Sequence, residues 1–486
     1  MKKQDNRLAV YRLLPHPNPS PLGRGLNFNR PLPIREGLGW GSILKTGLIG
    51  LGIWLSISTG FAQSGASTLG TLSDDDSVKH RCANPLIEAQ LQRQSPKRLQ
   101  QLNSLNEQVR TYTTFNPNAR GATATVYRIP VVVHVVHNQA NGTIGGANNP
   151  NITDAQILSQ IQVLNEDYRK VANTPGGSST NPIAVDTNIE FYLAQKDPDG
   201  QASNGITRTY YAAKSSFDLF NDLYLLSSIV YWPSTRYLNI WVVAISNKNY
   251  LGYGQFPTAA DTLQGLGDTD ERIDGVVIDH HYFGRRTGTV TSSLYCCGRT
   301  TTHEVGHWLG LIHPNGDTRC GDDYVADTPT VEALNETDKC TDIFSTCKPG
   351  VTTRNLIEDY MDYTPDACMN VFTGGQRDRM MAVLQLSPRR VQLIQSNTAL
   401  PETERLTVSV SPNPSSTQST VTVQFKGSQA FSTELINVSG RTIQTESYPA
   451  TLSRQITLPV SDLQAGVYIF RVKTQSETVS QRVLIQ

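Results

Sequence analysis

Residues 303–313 read HEVGHWLGLIH. On a helix, His303 and His307 lie four positions apart, so both imidazoles project from one face and can bind a single zinc ion. Glu304 follows the first histidine and is placed to take a proton from a zinc-bound water. The stretch therefore predicts a zinc site on a helix.

The residues after this helix predict a third ligand. Gly310 tolerates the left-handed conformation of a sharp turn, so it can end the helix and let the chain return with His313. Three protein ligands leave a fourth position for water, which is typical of a catalytic zinc. The alternative is an inactive site that keeps its ligands.

A downstream methionine adds a family resemblance. The run GRTTTHEVGHWLGL at 298–311 and the run YMDY at 360–363 resemble the pappalysin-like metzincins, over roughly residues 125–396. The resemblance implies a metalloendopeptidase, with Met361 in the methionine turn beneath the metal. It also implies that Tyr363 lies near the metal, where a phenol can donate to an oxyanion.

Composition limits the other possibilities. The chain has 486 residues, with 42 Lys+Arg and 42 Asp+Glu, so its formal net charge is zero. Nucleic-acid binding would require a basic excess. The length exceeds that of one ordinary domain.

Residues 1–62 are expected to be a leader. The apolar run at 46–58 is short for a bilayer span and is typical of a signal peptide, with cleavage after Ala62. We therefore expect no stable transmembrane span after processing, and the alternative is an N-terminal anchor. Residues 1–40 are rich in Pro, Arg and Gly, and we expect the translation start further in.

Residues 63–121 are interpreted as a pro-segment. Cys82 lies just ahead of the catalytic region, and a thiolate is a strong zinc ligand. Some pappalysin-like proteins use such a cysteine to block the metal, and the context at 79–82 looks similar. The resemblance thus implies latency through Cys82. The alternatives are a free surface thiol or a disulfide with Cys296 or Cys297.

The remaining cysteines suggest disulfides, because export favours them. The four cysteines at positions 320, 340, 347 and 368 allow three pairings by spacing alone. The family resemblance implies Cys320–Cys347 and Cys340–Cys368. The adjacent Cys296 and Cys297 could form a strained vicinal disulfide or stay reduced.

A second metal site is suggested by the acidic loop at 320–328. Its carboxylates are hard oxygen ligands of the kind that calcium prefers. Family members often bind structural calcium in this region, which nominates Asp323, Asp327 and Thr328. The alternative is a solvated acidic turn.

The secondary-structure pattern predicts an α+β (α/β) metzincin catalytic domain at 122–396. Strands are predicted at 127–137, 189–193, 238–245 and 275–278, and helices at 153–171 and 375–386. The other histidines of this domain, His134, His137, His280 and His281, are interpreted as structural or surface residues.

Residues 397–406 read as a linker. Residues 407–486 read as a small all-β sandwich, with strands predicted at 408–410, 420–425, 433–436, 455–458, 466–472 and 481–485. The motifs at 411–414, 438–441 and 463–468 resemble the C-terminal sorting domains of the Bacteroidetes type IX secretion system. The resemblance implies export across an outer membrane by that machinery. A carbohydrate-binding or adhesive β-module is the alternative.

Together these features predict a secreted or cell-surface zinc endopeptidase, made as a latent zymogen and acting on protein or peptide substrates. Family members can prefer Arg or Lys beside the scissile bond, through an acidic residue close to the cysteine after the methionine turn. Here Ala367 stands directly before Cys368, and Asp366 is one step further away. Arg120-Gly121 is a plausible self-processing site under that preference.

Two other functions stay open. One is a surface adhesive or binding protein with a vestigial metal site. The other is a zinc hydrolase acting on non-peptide substrates.

Overall fold

A computed structural model of the chain describes residues 80–115, 125–259, 270–396, 398–399, 403 and 405–486. The expected signal peptide, its cleavage site, Arg120-Gly121 and part of the predicted linker lie outside the described residues. Within the described part, no helix combines the length and the apolar character that crossing a membrane requires.

Within the described residues, two helices precede the region predicted to be catalytic, and five more lie within it. They are α1 (Asn84–Gln94), α2 (Pro96–Phe115), α3 (Asp154–Tyr168), α4 (Leu223–Ile229), α5 (Arg299–Trp308), α6 (Gly374–Leu386) and α7 (Pro388–Ile394). A single turn of 3-10 helix covers Asp270–Ile273.

The catalytic region contains a six-stranded sheet and a small hairpin. The sheet strands are β1 (Tyr127–His137), β2 (Ile189–Leu193), β3 (Ile206–Tyr210), β4 (Leu238–Val243), β5 (Gly252–Gly254) and β6 (Gly275–Asp279). The hairpin consists of β7 (Phe344–Lys348) and β8 (Val351–Arg354).

The sheet runs in the order β2-β1-β4-β6-β5, with β3 also paired to β1. Strand β1 pairs in parallel with β2 over its first half and with β3 over its second. Strand β5 alone runs antiparallel to its neighbour β6, and it stands at the end of the strand order. Its outer edge therefore offers backbone groups for a further strand.

The sheet packs against the helices around one apolar core. Strand β1 is buried over almost its whole length, which suits its β-branched sequence. Val305 and Trp308 of α5 and Ile157 and Leu164 of α3 belong to the same core. The predicted strands of this domain and its three predicted helices, including the one that carries His303 and His307, are confirmed within a few residues. The elements that were not predicted are α4, α7, β3, β5 and the 344–354 hairpin.

Helix α5 approaches the sheet unusually closely because glycines face it. A Cβ on Gly254 would lie 2.1 Å from the Glu304 carbonyl oxygen, and one on Gly252 would lie 3.1 Å from the Glu304 side chain. On the opposite side of α5, a Cβ on Gly306 would lie 2.4 Å from the Met361 sulfur. The glycines therefore fix the depth at which α5 lies between β5 and Met361.

Buried charges hold the two ends of α5. The Arg299 guanidinium pairs with Asp167 of α3 at 3.0 Å, and Thr302 donates to the same carboxylate at 2.7 Å. At the other end, the Trp308 indole donates to Asp274 at 2.7 Å. Breaking one partner of such a buried pair leaves an uncompensated charge, so these contacts specify the position of the helix.

The C-terminal part is all-β, as predicted, with seven antiparallel strands in two sheets and its own apolar core. The strands are β9 (Thr407–Ser411), β10 (Gln418–Gln424), β11 (Gln429–Asn437), β12 (Thr442–Thr451), β13 (Arg454–Pro459), β14 (Gly466–Thr474) and β15 (Thr478–Ile485). Six of the seven match predicted strands. The missed strand, β12, is polar and mostly exposed, so it carries no alternating apolar pattern.

Candidate active site

Three imidazoles converge at the C-terminal end of α5. The Nε2 atoms of His303, His307 and His313 lie 3.1–3.2 Å from one another, and all three side chains are fully buried. Three nitrogens bound to one tetrahedral zinc at about 2.0–2.1 Å would lie about 3.3 Å apart. The spacing of the three nitrogens therefore fits a zinc ion.

The third histidine is delivered by a tight turn. Gly310 adopts a φ of +91°. The Leu311 amide donates to the Gly306 carbonyl at 2.9 Å, and the Gly310 amide donates to the His307 carbonyl at 2.8 Å. This pair of bonds is a Schellman motif, which ends the helix and reverses the chain.

A separate acceptor orients each imidazole. The Nδ1 atoms of His303 and His307 lie 2.8 Å from the carbonyl oxygens of Tyr360 and Leu311. The Nδ1 of His313 lies 2.5 Å from the Asp317 carboxylate. Because these acceptors require a proton on Nδ1, each Nε2 presents a lone pair.

The electrostatics of the site also favour a cation. Burial, with the neighbouring imidazoles, lowers the pKa of His303 well below its usual value and that of His307 to about 3. The three Nε2 lone pairs are directed at one point. A bound cation would attract all three lone pairs and so offset the repulsion among them.

The methionine turn lies under the histidines. Met361 is fully buried, and its sulfur fills the space that the glycine at position 306 leaves open. The carbonyl of the preceding Tyr360 accepts a hydrogen bond from His303 Nδ1. This turn therefore both supports the helix and orients one imidazole.

Cys82 reaches the same point from outside the catalytic region. Its sulfur and the three histidine nitrogens all lie within 4.8 Å of one another. The thiol donates to Glu304 Oε2 at 3.2 Å, and the Asn84 amide donates to the sulfur at 3.3 Å. Burial, followed by the Glu304 charge, raises the thiol pKa well above its ordinary value.

Glu304 and Tyr363 face this cysteine. Burial raises the pKa of Glu304 to about 8, and its Oε1 has no hydrogen-bond partner within the described part of the chain. The Tyr363 hydroxyl donates to the Cys82 carbonyl at 3.3 Å, and its ring lies 5.1 Å from that of His313. Burial raises the phenol pKa well above 10, so the hydroxyl keeps its proton.

Arg81, which the sequence analysis did not single out, fills a pocket beside the histidines. Its guanidinium is fully buried, donates to Asp366 Oδ1 at 2.8 Å and to the Thr364 carbonyl at 2.9 Å, and lies 5.5 Å from the Tyr295 ring centre. Ala367 is exposed, so the acidic pocket residue is Asp366. The sequence offered one indication that Arg81 lies at the site, because Arg81 directly precedes Cys82.

The segment that carries Arg81 and Cys82 extends the sheet. The Leu251 amide donates to the Arg81 carbonyl at 2.9 Å, and the Ala83 amide donates to the Gly252 carbonyl at 3.1 Å. Cys82 thereby pairs in parallel with the outer edge of β5. Helices α1 and α2 follow directly, and Leu105 and Val109 of α2 pack against Ala382 and Val383 of α6.

Disulfides link the loops on this side of the molecule. The structure pairs Cys320 with Cys347 and Cys340 with Cys368, whereas Cys82, Cys296 and Cys297 are free. The Cys340–Cys368 bridge lies two residues beyond Asp366 in the chain. It therefore anchors the segment that carries the pocket carboxylate.

Asp323 and Asp327, which were predicted to bind calcium, accept hydrogen bonds from groups of the protein itself. Asp323 accepts from the Thr328 hydroxyl at 2.7 Å and from the Val325 amide at 3.1 Å. Asp327 accepts from the Thr373 hydroxyl at 2.7 Å and from the Gly375 amide at 2.8 Å, at the start of α6. Within the described residues, Asp323 and Asp327 do not belong to any cluster of three or more His, Cys, Asp or Glu ligand atoms.

The other histidines lie away from the three-histidine cluster. His134 contacts Thr207 and Asn239 at 2.7 and 2.8 Å, and burial lowers its pKa to about 4. Asp279, His280 and His281 form a second group of neighbouring ligand atoms. The Asp279 carboxylate already accepts from the Ile245 amide and from His281 at 2.7–2.9 Å.

Sequence comparison places two known families on the chain. The family described as pregnancy-associated plasma protein-A, peptidase M43, matches residues 227–385. The secretion system C-terminal sorting domain matches residues 409–486.

Curated relatives carry the name extracellular metalloprotease. One from Colletotrichum graminicola is 32% identical over 289 residues, covering 57% of this chain and 81% of its own length. Another, from Pyricularia oryzae, is 30% identical over 264 residues, covering 52% of this chain and 74% of its own length.

Among solved structures, a Tannerella forsythia promirolysin mutant is 37% identical, with a TM-score of 0.53. The match covers 65% of this chain and 97% of that one. Mature mirolysin in complex with a cleaved peptide is 40% identical, covering 56% of this chain and 96% of that one, with a TM-score of 0.47.

The Asp317 contact generates a test of the metal centre. Replacing Asp317→Ala removes the carboxylate that orients His313, so zinc affinity should fall about 10- to 100-fold. Competition with a chromophoric chelator measures this directly. The matched control is Asp338→Asn, an exposed acidic residue in the following loop, which should bind zinc as the unmodified chain does. Equal affinities in all three proteins would contradict the role of Asp317.

Proposed function

The chain belongs to the M43 family of metallopeptidases, and we propose that it is a zinc endopeptidase, exported in latent form, that cleaves proteins beside arginine or lysine. The observation that carries the proposal is the position of Arg81 and Cys82. These two adjacent residues contact the groups that a peptide substrate would need.

We assign the metal to three ligands. His303, His307 and His313 would hold zinc through Nε2, as their mutual distances and their Nδ1 partners suggest. When bound, zinc polarises a carbonyl and lowers the pKa of a water molecule to about 7.

Glu304 is assigned as the general base. Its buried carboxylate has one oxygen without a hydrogen-bond partner in the described part of the chain, so that oxygen is available to accept a proton. The same carboxyl group then delivers that proton to the leaving amine nitrogen. Tyr363 keeps its proton and donates a hydrogen bond to the developing oxyanion.

Asp366 is assigned as the specificity residue. Its Oδ2 is held by the backbone amides of Cys297 and Arg299 at 2.8 and 3.1 Å, which leaves Oδ1 for a cationic side chain. The Arg81 guanidinium now occupies that position, stacked near an aromatic ring. A substrate arginine or lysine would take its place once the pro-segment leaves.

The segment that carries Arg81 and Cys82 and a bound substrate would run in opposite directions along β5. Arg81 precedes Cys82, and the segment runs parallel to β5. A substrate bound in the opposite direction would pair with β5 in the antiparallel manner and place its basic residue on the carboxyl side of the scissile bond. We therefore propose that products begin with arginine or lysine. Self-processing at the segment around Arg120 would then leave Arg120 as the first residue.

Latency follows from the same contacts. The Cys82 sulfur lies among the zinc ligands and against Glu304, its carbonyl accepts from Tyr363, and Arg81 occupies the Asp366 pocket. No substrate can bind while this segment is in position. Calcium binding at Asp323, Asp327 and Thr328 stays a prediction, which removal of calcium with a chelator would test through thermal stability.

The C-terminal domain directs export. The chain is a secreted or cell-surface protein with a type IX sorting tail at 409–486. We propose that the type IX machinery is its partner during transit. The adhesive function with a vestigial metal site is the competing proposal, and it predicts no cleavage of any protein or peptide.

Glu304→Ala tests the peptidase mechanism. The variant should fold and bind zinc, because the three histidines are unchanged, while losing peptidase activity by at least about 10³-fold. Zinc content by atomic absorption and casein cleavage measure the two properties separately. Full activity in this variant would end the proposed mechanism.

Cys82→Ala tests latency. Removing the sulfur frees the metal and Glu304, so the unprocessed chain should cleave casein at least about tenfold faster than the unmodified precursor. Lys97→Ala, an exposed change in the same pro-segment, is the matched control and should remain as latent as the unmodified chain. Absence of cleavage by Cys82→Ala, before and after processing, would favour the adhesive alternative.

Asp366→Asn tests the specificity. Loss of a buried charged partner costs about 1.5–3 kcal/mol, so kcat/KM for arginine peptides relative to leucine peptides should fall about 10- to 100-fold. Ala367→Ser, one position along and exposed, should keep the ratio. Sequencing of the products tests the direction, and new amino termini that lack arginine and lysine would refute it.

A further inference from the structure

Cys296 and Cys297 stand next to each other immediately before α5, and both are free. Cys296 is fully buried and its sulfur accepts from Arg286 Nε at 3.3 Å, whereas Cys297 is only half-buried. A hydrogen bond from Cys297 lowers the pKa of Cys296, with burial acting against it, and the same bond raises the pKa of Cys297. In the pair, here called the dithiol, Cys296 is therefore the more acidic thiol.

A cavity reaches the dithiol at Cys297. It has a volume of about 360 Å³ and is lined by Cys297, by three arginines and by Asp366, among others. The arginines are Arg285, Arg286 and Arg299. Arg285 is paired with Glu166 and Arg299 with Asp167, so Arg286, which contacts the Cys296 sulfur, is the cation that acts on the dithiol. A thiolate beside a cation is the reactive form of cysteine.

We propose that the dithiol is an oxidation site for low-molecular-weight disulfides, and that the resulting vicinal disulfide withdraws Asp366 from the basic residue of the substrate. The second half of the proposal rests on the role assigned to Asp366 above. The remaining four cysteines of the catalytic region are already paired, so the dithiol carries the free thiols of this domain within the described residues.

The reaction is an ordinary thiol–disulfide exchange. Cys297, which lines the cavity, loses its proton and attacks one sulfur of the reagent, the reagent S–S bond breaks, and one thiol leaves after taking up a proton. The buried Cys296 then attacks the Cys297 sulfur as its thiolate, the bond between Cys297 and the reagent breaks, and the second thiol leaves after taking up a proton. In sum, two protein thiols are oxidised to one disulfide, and one reagent disulfide is reduced to two thiols.

The peptide bond between the two cysteines couples the dithiol to the pocket. Its N–H belongs to Cys297 and donates to Asp366 Oδ2 at 2.8 Å, while Asp366 Oδ1 binds Arg81 at 2.8 Å. Adjacent Cα atoms lie about 3.8 Å apart across a trans peptide, less than the 4.4 Å or so that a relaxed disulfide needs. Closing the ring must therefore turn this peptide and move its N–H away from the carboxylate.

The first experiment detects the disulfide without relying on catalysis. The full chain carrying Glu304→Ala is incubated with glutathione disulfide, and its intact mass and alkylatable thiols are measured. We expect a loss of two hydrogen masses and of two of the three free thiols. Cys296→Ser on the same background should give neither change. A mass that stays constant, or a stable glutathione adduct, overturns the proposal.

The second experiment measures coupling to the pocket. In the processed enzyme, oxidation should lower kcat/KM for arginine peptides relative to leucine peptides at least about tenfold, and the ratio in Cys296→Ser should not respond. In the latent Glu304→Ala chain, oxidation should accelerate alkylation of Cys82, because Arg81 loses its partner. If the vicinal disulfide forms but changes neither the kcat/KM ratio nor the rate of Cys82 alkylation by more than about twofold, the coupling between the dithiol and Asp366 is refuted. If the processed enzyme cleaves no peptide at all, the rate of Cys82 alkylation in the latent chain still tests the coupling between the dithiol and Asp366.

Discussion

Three imidazole lone pairs directed at one buried point are the constraint on which the rest of this structure depends. Each lone pair exists only because an acceptor on the far side of the ring holds a proton on Nδ1. Those acceptors come from three places: the methionine turn, the turn at the end of α5, and Asp317. The helix, both turns and the loop must therefore all be correctly positioned before the site can bind a cation.

The second constraint is the depth of α5 in the fold. Glycines on β5 let the backbone of α5 approach the sheet, and a glycine on α5 receives the Met361 sulfur. Because β5 is also the edge strand, the Glu304 carboxylate, the three histidines and a row of unpaired backbone groups come close together. The geometry of the edge thus determines what can lie across the site.

The sequence predicts much of this arrangement because its chemistry is local. The histidine spacing, Gly310 and Glu304 lie within one helix and its turn. Arg81, Asp317 and the choice between Asp366 and Ala367 were missed or left open, because they depend on contacts between segments far apart in the chain or on the direction of a side chain. Strands β3, β5 and β12 escaped detection because they are short, glycine-rich or polar, so no period-2 apolar pattern marks them.

The adjacency of Arg81 and Cys82 has a consequence for inhibitor chemistry. A guanidinium and a thiol on neighbouring residues reach Asp366 and the three histidines at once, so a compound little larger than a dipeptide contains both anchoring groups. Within this chain, the α2 contacts with α6 hold these groups at a high effective concentration. A free molecule lacks that tether, and rigidity in the extended conformation that pairs with β5 is the most direct way to replace it.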